Sequence, residues 1–555
     1  MVNRGFSFTI WIIFLLLLGS LSIGAADVEI TCSPAELTAF QGEKINLSLE
    51  VKNNLIESLR PDKNYFLSYH IYDTQMKLLQ FENPRFRLPK VLRRKKTSTF
   101  KLPIFFNYKK GGTYIVELDL VKEGEFWGSQ KKWETAKVKV YLKSLFSAEF
   151  SNKYQPIFCQ TNNPLINREQ YLLRITLKNN EIKKNNKIFG FAAGSNYPAL
   201  WIRDIATFIS YALDQYSFDT LANSVEGFLE HQREDGQIVD WIDTSGNTDK
   251  NTVQTDQESS LVLAAYELWQ RNPQWIYKKI KGKKIIDGLE SALGWVWKTK
   301  RDKKWNLIYS GFTADWGDVE NTFPDERASK LSKKSILAFS VYTQSKFIQA
   351  VDRMIEMLGS RMAKDNKKRI STWRKASQIL KSQTHKHLYL KEKGYFISHI
   401  VPATDQYLEM EKEMLAVGGN AEAIIAGLLN KNQIAKFLSE LNRRREKYKL
   451  KTVSFTLIPP YPAGFFSYHL LAHPWSYQNG GEWDWIGGRV VKALFLYGFV
   501  EEAKKYLIEI IRKNLDNLCI YEWEGLHGRG ITSALFYTGA AGVIGEAIRL
   551  GYGKK

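Results

Sequence analysis

Cysteine is scarce: only Cys32, Cys159 and Cys519 occur in 555 residues. Their wide spacing excludes a disulfide framework and a cysteine metal motif. No His/Asp/Glu spacing demands a metal either, and no cofactor is implied. Gly-rich phosphate loops and a nucleophilic-serine motif are missing. Beyond the first 26 residues no apolar run is long enough to span a bilayer. Acidic residues are in deficit, with 58 Asp and Glu against 79 Lys and Arg, a formal charge of +21. The bases are nevertheless spread among acids, without an arginine-rich arm, so nucleic acid is not an expected partner. The local run Arg93-Arg94-Lys95-Lys96 reads as solvated surface, with an acidic glycan or anionic cell surface as the functional alternative.

Several features define the organisation. Arg4, an apolar run from Phe8 to Leu18 and the small residues Gly24-Ala25-Ala26 predict a secretory signal peptide over 1–26. A secreted or periplasmic location follows, with no membrane span after cleavage. The length predicts two or three domains. Residues 27–145 read as an antiparallel β-sandwich. Ile45–Val51, Tyr65–Ile71, Tyr114–Leu120 and Trp133–Tyr141 alternate at period two, and Gln41-Gly42 and Gly111-Gly112 mark turns. Residues 146–197 read as a linker with short strands, Gln170–Leu177 among them.

From 198 to 555 the apolar period becomes 3.6. Helices are expected over roughly 202–216, 218–232, 255–271, 284–298, 335–358, 366–384, 420–430, 433–446, 486–498, 500–514 and 533–549. They fall into antiparallel pairs, with short polar loops inside a pair and longer Gly/Trp/Asp-rich loops between pairs. About six pairs would close into an all-α (α/α)6 barrel, with function carried by the long loops at one end.

Three stretches in those loops share a composition: Ser310–Glu320, Tyr477–Trp485 and Tyr521–His527. Tryptophan offers a flat apolar face, carboxylates grip hydroxyls and move protons, and glycine admits close approach. That mixture suits a sugar pocket. Trp201-Ile202-Arg203-Asp204, Gln232–Ile238, Gln254-Thr255-Asp256-Gln257, Tyr477–Gly481 and Tyr521–Gly525 occur in the order of the motifs of the six-hairpin glycosidases. The region 190–550 resembles glucoamylase, glycogen-debranching glucosidase, trehalase and invertase relatives, and the N-terminal region resembles Ig-like sandwich modules. The resemblance implies that Arg203 and Asp204 hold hydroxyls of a terminal sugar, that Asp256 faces substrate, and that the Tyr521–Gly525 segment carries a catalytic base. It also implies exo-acting, inverting hydrolysis, with glucose from an α-glucoside as the sugar. The acid segment departs from the glucoamylase pattern Asp-x-Trp-Glu-Glu, reading Asp315-Trp316-Gly317-Asp318 here.

Glycoside hydrolysis needs a protonated carboxyl for the departing oxygen and an ionised one to take a proton from water. Asp315, beside the apolar Trp316, is favoured as the acid, because burial against an aromatic raises a carboxyl pKa. Asp318 is the alternative, and the bland reading of either is a helix cap. Glu522 is favoured as the base with Glu524 close behind; two apart in an extended segment, they would share a face. Trp201, Trp316 and Trp483 are candidate stacking residues, with Asn479 and Glu482 as further contacts. The expected partner is an oligosaccharide or polysaccharide. The rivals are phosphorolysis, with His527, Arg529 or Arg489 holding the phosphate, and a non-catalytic glycan-binding protein.

Overall fold

The computed structural model describes residues 26–88, 90–106, 110–147, 158–195, 197–319, 329–360, 364–401, 409–526, 528–529 and 533–553. The expected signal peptide lies outside them apart from Ala26. The chain divides into two compact units, 1–145 and 146–555.

The first unit contains β1 (Val28–Ser33), β2 (Glu36–Phe40), β3 (Lys44–Asn53), β4 (Tyr65–Tyr72), β5 (Leu78–Gln80), β6 (Phe86–Arg87), β7 (Lys96–Phe105), β8 (Gly112–Lys122), β9 (Phe126–Trp127) and β10 (Ala136–Lys143). One sheet has the order β1-β3-β7, and the other β2-β10-β8-β4-β5, with β6 on β4 and β9 on β8. The alternation in β3 sends Leu47, Leu49 and Val51 inward, where they meet Leu67, Tyr69 and Ile71 of β4 in one core. The expected antiparallel pattern needs one correction: β2 runs parallel to β10, Leu37 opposite Val140. A parallel neighbour cannot come from a hairpin, so turn signals between adjacent runs do not reveal it.

The second unit carries twelve α-helices among its described residues. They are α1 (Pro164–Asn179), α2 (Ile202–Ala212), α3 (Phe218–Glu230), α4 (Gln257–Arg271), α5 (Ile285–Thr299), α6 (Val341–Gly359), α7 (Lys364–Leu388), α8 (Val417–Ile425), α9 (Lys431–Tyr448), α10 (Asp484–Leu496), α11 (Val500–Asn517) and α12 (Thr538–Tyr552). Six of them form a closed ring: α2 packs on α4, α4 on α6, α6 on α8, α8 on α10, α10 on α12, and α12 on α2. These helices are buried almost all round. In α10 every residue from Asp484 to Val491 is buried, whereas α9 buries one stripe through Ile434, Phe437, Leu438 and Leu441. The remaining helices alternate with the ring helices along the chain. Every connection entering a ring helix is longer than the one leaving it, so the long loops gather where the ring helices begin.

All eleven expected helices are present, with their ends shifted by a few residues. The helix expected from 335 begins at Val341, because Leu337–Ser340 is a strand and the Ser340 hydroxyl caps the helix by accepting from the Thr343 N–H. The strand expected over Gln170–Leu177 is wrong: it is the body of α1. The Asn163 side chain accepts from the Leu165 N–H and Pro164 occupies the first turn, a start signal for a helix. Helix α1 packs against both α11 and α12. Leu172, Leu173, Ile175, Thr176 and Leu177 are therefore all buried, and burial on two sides hides the helical period. The stretch 164–197 accordingly belongs to the second unit and is not a linker.

Ring closure depends on Gly542 of α12. A Cβ there would sit 2.3 Å from the Phe208 Cα and 2.7 Å from the Thr207 carbonyl oxygen of α2. A helix-interior glycine is otherwise unfavourable, so the close approach of the two backbones is its reason. Gly542→Ala is expected to destabilise the protein by roughly 1–3 kcal/mol through overpacking, read as a lower urea midpoint. A midpoint equal to or above that of the wild type would refute the contact.

Candidate active site

The beginnings of the ring helices carry a concentration of polar side chains. Arg203 and Asp204 lie in the first turn of α2, placed by the short strand Ala199–Trp201 pairing with Trp241–Asp243. Asp256 sits at the N-cap of α4 but makes no side-chain cap bond. Its carboxylate instead takes the Arg203 guanidinium from two nitrogens, Nε at 2.8 Å and NH2 at 3.1 Å. Tyr342, in the first turn of α6, adds its hydroxyl to the same carboxylate at 3.0 Å. The remaining Arg203 nitrogen, NH1, reaches Asp318 Oδ2 at 3.2 Å.

Arg203 therefore links two carboxylates of different exposure. The Asp256 side chain is fully buried, whereas the Asp318 side chain is 31% exposed. The second Asp318 oxygen accepts from the Gln478 amide at 2.9 Å. The backbone beneath is pinned as well: Asn251 donates to the Asp318 carbonyl, and the Gln254 amide to the carbonyls of Trp316 and Gly317.

Asp318 faces a pocket of about 480 Å³, open to solvent, whose wall also contains Trp201, Arg203, Asp204, Asp240, Gln478 and Glu522. Tyr197, Tyr477, Tyr537, Trp316, Trp483 and Ala193 complete the wall. Glu522 lies on the last long loop. Its Oε1 accepts from the Tyr197 hydroxyl at 2.6 Å, and its N–H donates to the Ala534 carbonyl. Burial pushes the Glu522 carboxyl up to about 7, and the nearby charges of Asp204 and Asp318 add to the effect. Burial likewise raises Asp204 to about 6 and Asp240 to about 7, with Asp318 contributing in both cases. Four carboxyls and one guanidinium thus share the wall, three of those carboxyls titrating near neutrality.

Several candidates are corrected by their positions. Asp315 is fully buried and lies behind the pocket, outside its wall. Both its oxygens accept from the Gly419 N–H of α8 at 3.1 Å. Cβ atoms at Gly418 and Gly419 would each stand 2.7 Å from that carboxylate, so the glycine pair admits it to the start of the helix. Asp315 is a helix cap, supplied from a distant loop. Burial raises it to about 7, as expected beside Trp316, but the same burial keeps it outside the pocket wall.

Glu524 also leaves the pocket, because β-pairing with Glu482 turns it toward Lys513. Lys513 gathers Glu482, Asp484 and Glu524 within 3.3 Å. Glu482 is therefore part of a structural ion cluster and not a sugar contact. Asn479 is fully buried and spends its amide on Tyr461, Leu471 and His473 of its own loop. Asp256 sits beneath Arg203 and outside the wall. Trp316 and Trp483 reach the wall but are 2% and 1% exposed. Trp316 packs edge-on against Trp483 at 4.8 Å and Trp485 at 4.4 Å, so the three rings brace one another. Trp201 is the more accessible ring. His527 and the Arg529 side chain lie outside the described residues. Arg489 is in a different part of the ring, described below.

Six wall residues are not among the candidates read from sequence: Ala193, Tyr197, Asp240, Tyr477, Gln478 and Tyr537. Asp240 follows directly on the Gln232–Ile238 motif, and Tyr477 and Gln478 lie inside a quoted one, so those signals were at hand. Tyr537 carried no such signal: it caps α12, whose expected start lay within the preceding loop. Among the described residues no group of His, Cys, Asp and Glu is arranged to hold a metal ion, and no helix is long and apolar enough to cross a membrane.

No protein-family model and no curated protein matches this sequence. Solved structures do share its fold. A rhamnosidase from Klebsiella oxytoca with rhamnose bound superposes with a TM-score of 0.51 at 14% identity, over 93% of this chain and 88% of that one. A GH78 family rhamnosidase of Bacillus sp. GL1 superposes with a TM-score of 0.50 at 10% identity, over 90% of this chain and 46% of that one. The fold is therefore one that glycoside hydrolases use.

The raised carboxyls predict a pH signature of stability. A folded Glu522 pKa near 7 against an ordinary 4.5 means that the native state holds this proton more tightly. Stability then falls as pH rises between those values, and the cost is complete above about pH 7. Glu522→Gln should be more stable than wild type by about 1–3 kcal/mol at pH 8, with the gap shrinking toward pH 4. Thermal unfolding at both values checks this, and a gap independent of pH would contradict it.

Proposed function

We propose that the second unit is an (α/α)6-barrel glycoside hydrolase that removes a terminal sugar with inversion, using Asp318 as the acid and Glu522 as the base. The observation carrying the proposal is that Asp318 and Glu522, from two separate long loops, face one pocket whose remaining wall is made of Arg203, Asp204 and aromatic rings. Fold alone does not fix a reaction; the paired carboxyls and the hydroxyl-binding groups around them support this one.

The two roles follow from position. In an exo-acting enzyme the departing chain points out of the pocket, so its oxygen must be protonated from the mouth. Asp318 is the more exposed carboxylate. Glu522, 6% exposed, is the deeper of the two and would activate a confined water. The Tyr197 hydroxyl donates to Oε1 and the Ala534 N–H to Oε2, and both bonds favour the ionised form that a base needs. For this role Asp318 must take up a proton in the substrate complex; as it gives that proton to the glycosidic oxygen, the bond to the anomeric carbon breaks. Water forms the new bond and yields its proton to Glu522. Arg203 and Asp204 would donate to and accept from ring hydroxyls, and Trp201 would stack on the sugar face. An α-linked glucose is the expectation from motif resemblance; the rhamnosidase fold neighbours make a terminal rhamnoside the other substrate to test. Arg489 contributes nothing to the pocket wall, which weighs against it as a phosphate holder for phosphorolysis.

Asp318→Asn and Glu522→Gln are each expected to lower kcat by roughly 10²–10⁴-fold on the natural linkage. A dinitrophenyl glycoside, whose leaving group needs no proton, should restore Asp318→Asn and not Glu522→Gln. The reverse pattern would exchange the roles. In wild type, kcat/KM should fall as pH drops below about 7, where Glu522 takes up its proton. Asp315→Asn should keep turnover, and Asp315→Ala should cost roughly 1–3 kcal/mol of stability. Abolished turnover in a folded Asp315→Asn protein would return the acid role to that residue. An absence of hydrolysis with any α- or β-linked sugar, despite binding, would favour a glycan-binding protein.

A further inference from the structure

The ring encloses a second cavity, of about 1030 Å³ with its mouth included, nearer the C-terminal ends of the ring helices. Every ring helix contributes to its wall, and the cations there are Lys346, Arg353, Arg489, Lys492 and Arg549. Some are neutralised locally. Lys492 pairs with Glu546 at 2.7 Å, Arg549 with Asp214 at 3.1 Å, and Arg353 with Glu356 at 2.6 Å.

The two deepest cations are not matched one to one. Lys346 is 3% exposed and Arg489 7%. Both turn to one carboxylate, Glu422 of α8, and to the same oxygen of it. Arg489 NH1 donates to Oε1, and the Lys346 ammonium stands 3.7 Å from that atom. The other oxygen of Glu422 is taken by the Gln349 amide at 2.7 Å. Arg489 NH2 donates to the Thr207 hydroxyl, and its Nε–H is buried without a partner. One carboxylate is therefore shared directly by two buried cations, and the acids of the cavity wall itself are Glu267 and Glu546. An uncompensated buried charge is strongly unfavourable. Burial and the Arg489 charge hold the Lys346 ammonium well below its ordinary pKa.

We propose that this axial cavity binds a small oxyanion, a phosphate, sulfate or carboxylate group, on Lys346 and Arg489. The anion supplies a second negative charge to the Lys346–Arg489 pair, which has one carboxylate between them, with Arg353 at the mouth as a further cation. The cavity is separate from the sugar pocket but connected to its floor. The Arg489 guanidinium lies 4.6 Å from the Trp485 ring, which braces Trp316 of the pocket wall. The Thr207 hydroxyl that accepts from Arg489 also donates to the Arg203 carbonyl at 2.8 Å.

The test is titration of the full chain with inorganic phosphate, sulfate and acetate in separate arms at constant ionic strength. Thermal midpoint and tryptophan fluorescence are read in each arm. Constant ionic strength and a millimolar range separate site binding from the general stabilisation that concentrated kosmotropic salts give. The expected result is a saturable rise of the midpoint with at least one oxyanion. The dissociation constant should weaken at least tenfold in Lys346→Met and in Arg353→Gln, the second lying at the mouth where folding is safe. Lys346→Met should also be the more stable protein without anion. A rise shared equally by wild type and both variants, or no saturable response in any arm, would overturn the site. A response to acetate alone would assign it to carboxylates, and one to phosphate and sulfate to tetrahedral oxyanions.

Discussion

Arg203 is the one guanidinium among the described residues of the loop-end pocket wall, and the arrangement around it depends on how it is shared. Two of its nitrogens are committed to Asp256, a carboxylate sealed from solvent, and one reaches outward to Asp318. The inner pair anchors: a bidentate guanidinium–carboxylate bond fixes the plane of the side chain, and Tyr342 fixes the carboxylate in turn. The outer bond is then made with geometry already settled. Three separate segments, the start of α2, the N-cap of α4 and the loop before α6, are tied by this one side chain. A buried ion pair of this kind is weak evidence for stability, and its service here is positional.

The polarity of the helix ring explains where charge is tolerated. All six ring helices begin near the long loops, so their exposed N–H groups and the positive ends of their dipoles point toward the pocket. Carboxylates collect there: Asp204 in the first turn of α2, Asp484 in that of α10, and Asp315 on the Gly419 N–H of α8. Lys492 and Arg549 lie in later turns, whereas Lys346 and Arg489 stand in the second turn of their helices. Helix dipoles account for the sign at each end. They do not account for Lys346 and Arg489 sharing one carboxylate, because both sit in the second turn of their helices, where the C-terminal end of the dipole does not reach.

Much of the architecture could be read from periodicity, because eleven helices each show an apolar stripe or run long enough to be seen. The exception, α1, is buried on two sides, and burial on two sides erases the stripe. The parallel β2–β10 pair was hidden for a related reason: it joins the two ends of the unit, and local pattern carries no long-range pairing. The site was partly legible. Arg203, Asp204, Trp201, Asp318 and Glu522 were all named, because residue types and their order along the chain carry the chemistry. Choosing between neighbours required backbone direction. Asp315 has a left-handed φ of +50°, so the chain reverses there and sends Asp315 and Asp318 to opposite sides of Trp316. Glu522 and Glu524 separate because only the second is engaged in pairing with Glu482.

The same reversal shows why so polar an interior is compatible with a folded ring. Asp315 and Asp318 stand on either side of a rigid tryptophan cluster, and each is met by groups that the other cannot reach. Asp315 meets the glycines at the start of α8, and Asp318 meets Arg203 and Gln478. Had both carboxylates faced the pocket, a fifth acid would have joined four, of which Asp204, Asp240 and Glu522 are already raised chiefly by burial, and its ionisation would have been opposed by like charge as well as by burial. Trp316, braced by Trp483 and Trp485, divides a carboxyl that holds the frame from one that lines the pocket. The interval of three residues between them is therefore a structural requirement: one carboxylate must turn inward for the other to stand in the pocket.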